Sequence, residues 1–171
     1  AGLHEMDADG PESVTRTSPA AMSGDFMARL RMKVENYQYP FAVSLPADYE
    51  ESGTERYPLI LFLHGAGERG TDLARVRNNL VVKHVRGNDL PFIVVSPQCP
   101  PGEWWSSVVL DALLTQIGQT YCVDPDRIYI TGLSMGGFGT WDMIVRYPDR
   151  FAAAIPVCGI GDRRDMGRIS D

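Results

Sequence analysis

Several things are scarce in this 171-residue chain, and each scarcity removes a class of function. No Lys/Arg cluster stands out and the formal balance is 16 − 22 = −6, so nucleic acid would find no basic footprint. No apolar stretch is long enough to cross a bilayer. No Asn-x-Ser/Thr glycosylation acceptor occurs. Cysteine appears three times, at Cys99, Cys122 and Cys158. An odd count without metal-like spacing argues against both a disulfide framework and a zinc site. Two of the three border buried-looking runs and read as small apolar core residues. The first residue is Ala1 rather than Met, the mark of a processed or engineered start, and the compartment stays open.

What is present suits one globular domain, with 44% hydrophobic residues. Residues 1–25 mix Gly, Pro, Ser, Thr and acids without periodicity and read as a flexible tail. Asp7-x-Asp9-Gly10 echoes a calcium loop but lacks its other spaced ligands. Residues 26–171 form the domain. ARLRMKV (28–34) and YPFAVSLP (39–46) suggest a hairpin-like opening pair. The apolar runs PLILFLH (58–64), PFIVVSP (91–97), RIYITG (127–132) and FAAAIPV (151–157) predict strands covered on both faces. Helices are predicted between them over 72–85, 108–121 and 135–147, the last stopped by Pro148. Such alternation means βαβ units, an α/β class and a mostly parallel sheet. Ligand sites then lie at the carboxyl ends of the strands.

Two strand ends carry unusual chemistry. Gly132-Leu133-Ser134-Met135-Gly136 fits G-x-S-x-G. The pentapeptide alone is weak, but it directly follows a strand and directly opens a helix, as a nucleophile elbow requires. Its glycines, with Gly137 and Gly139, would let helix and sheet approach closely. The bland alternative is a serine that merely caps the helix.

The second end is His64-Gly65-Ala66-Gly67-Glu68-Arg69-Gly70. Such a loop can turn the Ala66 N–H into the site as one oxyanion donor, with the Met135 N–H as the other. One donor of this kind is worth about 3 kcal/mol in a transition state. The same loop supports a rival of another class, because Gly65-x-Gly67-x-x-Gly70 is the dinucleotide-binding spacing. That reading wants an acid at the end of the next strand, which instead ends Ser96-Pro97-Gln98. Trp104 and Trp105 either wall an acyl or aromatic pocket or pack their loop on the domain. Asp124 and Asp126 flank Pro125 as turn residues. His84 reads as surface or packing.

The runs LILFLHGAGERGTDL, VVSPQCP and DRIYITGLSMGGFGTWDMIVRYPDRFAAAIPVCG resemble the phospholipase/carboxylesterase-like branch of the α/β-hydrolases, closest to bacterial predicted peptidases or esterases. The resemblance covers about residues 28–162. It implies a three-layer sandwich, small ester substrates, a Ser-Asp-His triad, no metal and no cofactor. It also implies Ser134 as nucleophile, Ala66 and Met135 as oxyanion donors, and Trp105 lining the site; His64 is a further candidate substrate contact. A serine peptidase on the same scaffold is the second reading. The departure is that such a triad runs Ser, then acid, then His along the chain, whereas no His follows Ser134 here. Asp162 is a conceivable stand-in acid, and His64 is not expected to be the base. The domain is therefore expected to be truncated after the strand that follows the nucleophile helix. That would leave an apolar sheet edge for a complementing C-terminal segment or for self-association.

Overall fold

In the computed structural model of the chain the described residues are 4–6, 25–31, 38–161, 167 and 169, those up to residue 38 by backbone alone. The four apolar runs become the parallel half of one sheet. They are β4 (Tyr57–Leu63), β5 (Ile93–Pro97), β6 (Val123–Leu133) and β7 (Ala153–Val157). Before them come β1 (His4–Met6), β2 (Asp25–Arg31) and β3 (Gln38–Ser44). The sheet order is β1-β2-β3-β5-β4-β6-β7. The β2–β3 and β3–β5 pairings are antiparallel and the other four are parallel, so the mostly parallel α/β expectation and the opening hairpin both hold.

The helices are α1 (Ala74–Arg77), α2 (Leu80–Gly87), α3 (Ser107–Thr120) and α4 (Met135–Arg146). Helix α3 buries Val109, Leu110, Leu113, Leu114 and Ile117, the i, i+3, i+4 stripe of an amphipathic helix. It packs against α4 and β6, and its buried stripe shares one core cluster with Leu59, Leu61 and Leu63 of β4. Each such side chain contributes roughly 1.5–3 kcal/mol when fully buried. Helix α4 ends where Pro148 opens a 3₁₀ turn, Pro148–Arg150, as the sequence predicted.

Three expectations need correction. The single helix over 72–85 is two, because Asn79 breaks it. Its side chain accepts the Val82 N–H at 3.0 Å and starts α2 as a cap, while its amide also donates to Ser96 Oγ at 2.8 Å. The strand at 151–157 is not covered on both faces. As the last strand of the order, β7 leaves Ile155 65% and Val157 41% exposed. Cys158 is likewise exposed, whereas Cys99 is buried and Cys122 half-buried. Asp124 and Asp126 do act locally, inside a β6 longer than expected. Asp124 accepts the Asp126 N–H and pairs with Arg127 at 2.6 Å.

Most of the stretch expected to be a tail, with Asp7 and Asp9, lies outside the described residues, as does Asp162; within that stretch His4–Met6 pairs with Phe26–Ala28. Among the described residues no helix is long and apolar enough to cross a membrane.

Candidate active site

A single residue joins the end of β6 to the start of α4, and it is Ser134. Its backbone sits at φ 56°, ψ −112°, a conformation costing a non-glycine residue roughly 1–3 kcal/mol. Neighbours hold it there. The Ser134 N–H donates to the Val157 carbonyl at 2.8 Å, and the Ser134 carbonyl accepts the Phe138 N–H at 3.1 Å. The hydroxyl makes no capping bond to α4 and the residue is exposed. The helix-cap alternative therefore fails, and the side chain is free to face a ligand.

Close approach of backbones enforces the turn. A Cβ on Gly132 would strike the Gly136 carbonyl, and one on Gly136 would strike the Leu63 carbonyl. On Gly137 it would lie 2.5 Å from the Val157 oxygen, and on Gly139 2.8 Å from the Trp105 ring. These contacts are well inside van der Waals separation, so only glycine lets α4 settle onto β4, β6 and β7.

The loop after β4 lies against the serine, since a Cβ on Gly65 would come within 3.8 Å of Ser134 Cβ. Ala66 is exposed and opens a 3₁₀ turn, Ala66–Glu68. Met135 opens α4. As first residues of helical turns, both have N–H groups without an intrahelical acceptor. Ala66 and Met135, the two expected oxyanion donors, thus open the turns next to Gly65 and Ser134, two residues that lie against each other.

His64 is buried, and both ring nitrogens are spent on backbone. Nδ1–H donates to the Gly65 carbonyl at 2.6 Å, and Nε2 accepts the Cys99 N–H at 2.9 Å. The Cys99 donor leaves Nδ1 as the protonated nitrogen. Burial pushes the imidazole pKa below its usual 6.5, so the ring is neutral. With no nitrogen left over, His64 serves neither as a base for Ser134 nor as a polar substrate contact. Its bond fixes the Gly65 carbonyl instead. The Gly65 carbonyl and the Ala66 N–H belong to one planar trans peptide, so holding the first inward directs the second outward. His84 is exposed on α2 and bonds to Asn88 at 3.4 Å.

The two tryptophans divide the alternatives between them. Trp105 is buried, donates Nε1–H to the His64 carbonyl at 3.2 Å and packs on the His64 ring. Trp104 is 62% exposed and meets Phe138 edge-on, with the Arg69 guanidinium 5.5 Å above its ring. Arg69 also donates to Met135 Sδ at 3.2 Å, tying the loop to the elbow. Sequence reasoning missed Arg69, Trp104 as the exposed partner, and Gln98. The available signal for Gln98 was a lone amide directly after a buried strand.

No dinucleotide cradle forms from Gly65-x-Gly67-x-x-Gly70. The fingerprint needs its glycines at a helix N-terminus, but the chain makes a 3₁₀ turn there and α1 starts only at Ala74. A Cβ on Gly67 would meet nothing within 4 Å, so that position does not reserve close approach to backbone.

Comparison with known proteins places this geometry. Residues 109–171 match the prolyl oligopeptidase family. Poly(3-hydroxyalkanoate) depolymerase C of Paucimonas lemoignei is 29% identical, over 60% of this chain and 28% of its own. An esterase of Mycobacterium tuberculosis is 28% identical, over 74% of this chain and 30% of its own. The chain thus spans under a third of these curated relatives. Among solved structures, a thermostable esterase is 34% identical at a TM-score of 0.74, covering 86% of this chain and 44% of its own. The feruloyl esterase module from Clostridium thermocellum has the same fold at 20% identity and a TM-score of 0.63, covering 90% of this chain and 63% of its own.

Proposed function

The chain belongs to the α/β-hydrolase superfamily and is esterase-like within it, and from that premise we propose that it cleaves carboxylic esters through an acyl-enzyme on Ser134. The observation that carries the reading is the strained, uncapped, exposed serine at φ 56° between β6 and α4. Helix capping does not account for that conformation; presenting a hydroxyl to a ligand does.

In the reaction, Ser134 Oγ attacks the ester carbonyl carbon and loses its proton to a general base. The carbonyl oxygen becomes an oxyanion between the N–H groups of Ala66 and Met135, the latter reinforced by the N-terminal end of α4. Collapse of the tetrahedral intermediate expels the alcohol with a proton and leaves an acyl-Ser134 ester. Water then repeats the sequence and releases the acid. His64 does not supply the base, because both its nitrogens are engaged.

The similarity to the prolyl oligopeptidase family over 109–171 favours a second reading, a serine peptidase on the same scaffold. The two separate on substrates. A short-chain aryl ester and a peptide anilide are offered to the full-length protein, with Ser134→Ala as control. Ester turnover that falls at least a thousandfold in Ser134→Ala supports the proposal. Retention of more than about a tenth of the parent rate means another nucleophile, and preference for the anilide moves the chain to the peptidases.

A further inference from the structure

We propose that Gln98 is a positioning residue for the oxyanion turn, acting on Ala66 through the loop backbone; the inference rests on the serine-hydrolase reading above. Gln98 follows β5 directly and is fully buried, with 0% of its surface exposed. It spends its amide nitrogen on two carbonyls of the loop beyond β4. Nε2 donates to the Glu68 oxygen at 2.8 Å and to the Asp72 oxygen at 3.0 Å.

The first of these bonds leads to the site in two steps. The Glu68 carbonyl and the Arg69 N–H share one planar peptide. That N–H donates to the Ala66 carbonyl at 3.4 Å and closes the 3₁₀ turn. Gln98 therefore sets the plane that holds Ala66 from the far side, while His64 holds Gly65 from the near side at 2.6 Å. The next residue completes the anchor with its backbone. The Cys99 N–H fixes the His64 tautomer at 2.9 Å, and the Cys99 carbonyl accepts the Gly70 N–H at 3.0 Å. One dipeptide at the end of β5 thus grips both ends of the turn.

A second feature separates positioning from plain stability. Gln98 Oε1 is buried and has no hydrogen-bond partner among the described residues. An unpaired buried acceptor works against folding. A residue serving stability alone would do better as a well-packed apolar side chain. Keeping an amide here makes sense where two directed donors are needed at one point.

The test uses the full-length protein and two variants. Gln98→Met fills similar space without donors. Gln98→Glu keeps the shape but, as a carboxylate, faces two carbonyl oxygens with no hydrogen to give; once protonated it regains one donor. We expect Gln98→Met to lower kcat for an aryl ester about tenfold to a hundredfold, with KM within about threefold, as misplacement of an oxyanion donor would. Affinity for an aryl boronic acid, whose tetrahedral adduct on Ser134 uses the same donors, should fall by the same factor in folded protein. We expect the activity of Gln98→Glu relative to the parent to climb as pH falls from 8 to 5. Should Gln98→Met not fold, the Gln98→Glu ratio decides alone. Unchanged kcat and boronate affinity in folded Gln98→Met, or a ratio that ignores pH, overturns the inference. A parent protein that a fluorophosphonate does not label at Ser134 overturns the serine-hydrolase reading itself; a labelled parent with unaffected variants overturns only the role of Gln98.

Discussion

Two glycine-rich turns flank the candidate site, and they are built on opposite principles. At the elbow, Gly132, Gly136 and Gly137 stand where any Cβ would run into the backbone of Gly136, Leu63 or Val157. In the loop after β4, a Cβ on Gly67 would meet nothing within 4 Å and one on Gly65 would make ordinary contacts from 3.4 Å outward. The elbow is shaped by exclusion, the loop by buried donors on its carbonyls. Glycine count therefore says little about a turn; what the missing side chain would touch says nearly everything.

The comparison makes predictions of decreasing size. The largest effect is expected at Gly136→Val and Gly137→Val, which force α4 off the sheet. We expect loss of soluble protein or at least ~4 kcal/mol of destabilisation in urea unfolding. Gly67→Ala should lie within about 0.5 kcal/mol of the parent, and equal damage from Gly67→Ala would erase the contrast between the turns.

A smaller effect sharpens the account of the elbow. Ser134→Gly relieves the positive φ, while Ser134→Ala keeps it. Both should be inactive, but the glycine variant should unfold at a higher temperature, by about 1 kcal/mol in stability after its added unfolded-state entropy is counted. A more stable Ser134→Ala would show that the elbow carries no such strain.

The smallest effect belongs to the loop and depends on pH. Burial holds the His64 pKa below 6.5, so below that pH the unfolded chain takes up a proton that the folded chain resists. The associated stability is intact above about pH 6.5 and is lost as pH falls beneath it. Plotting unfolding free energy against pH should give a shallower acid slope in His64→Asn than in the parent. Identical slopes would mean that the folded ring titrates normally.

Much of this was legible because the sequence states sterics and periodicity directly. The apolar runs at 58–64 and 127–132, the stripe of α3 and the strand–serine–helix order are local signals, and each became the expected element. The helix over 72–85 was misread because its break rests on one side chain, Asn79, capping α2 while it reaches to Ser96. The composition of 151–157 alone suggested a strand covered on both faces, because an apolar run does not reveal how many neighbours its strand has. The expected apolar sheet edge came from the order of elements, and the exposure of Ile155 and Val157 at the end of the sheet agrees with it. Gln98 and the inward role of His64 escaped for a related reason. Their partners, Glu68, Asp72, Gly65 and Cys99, lie about thirty residues away or act through backbone atoms, and backbone atoms leave no mark in a sequence.

The contrast between Trp104 and Trp105 gives the molecule a built-in optical reporter. Of the three tryptophans, Trp105 is buried and Trp141 packs against the core, while Trp104 stands 62% exposed beside Phe138 and Arg69. A polar quencher in solution therefore reaches one indole far more readily than the other two. The red, water-facing part of the emission belongs to a residue in contact with the loop after β4 through Arg69 and with α4 through Phe138. Anything that settles over Ser134 against those rings changes the colour and the quenching of that one component.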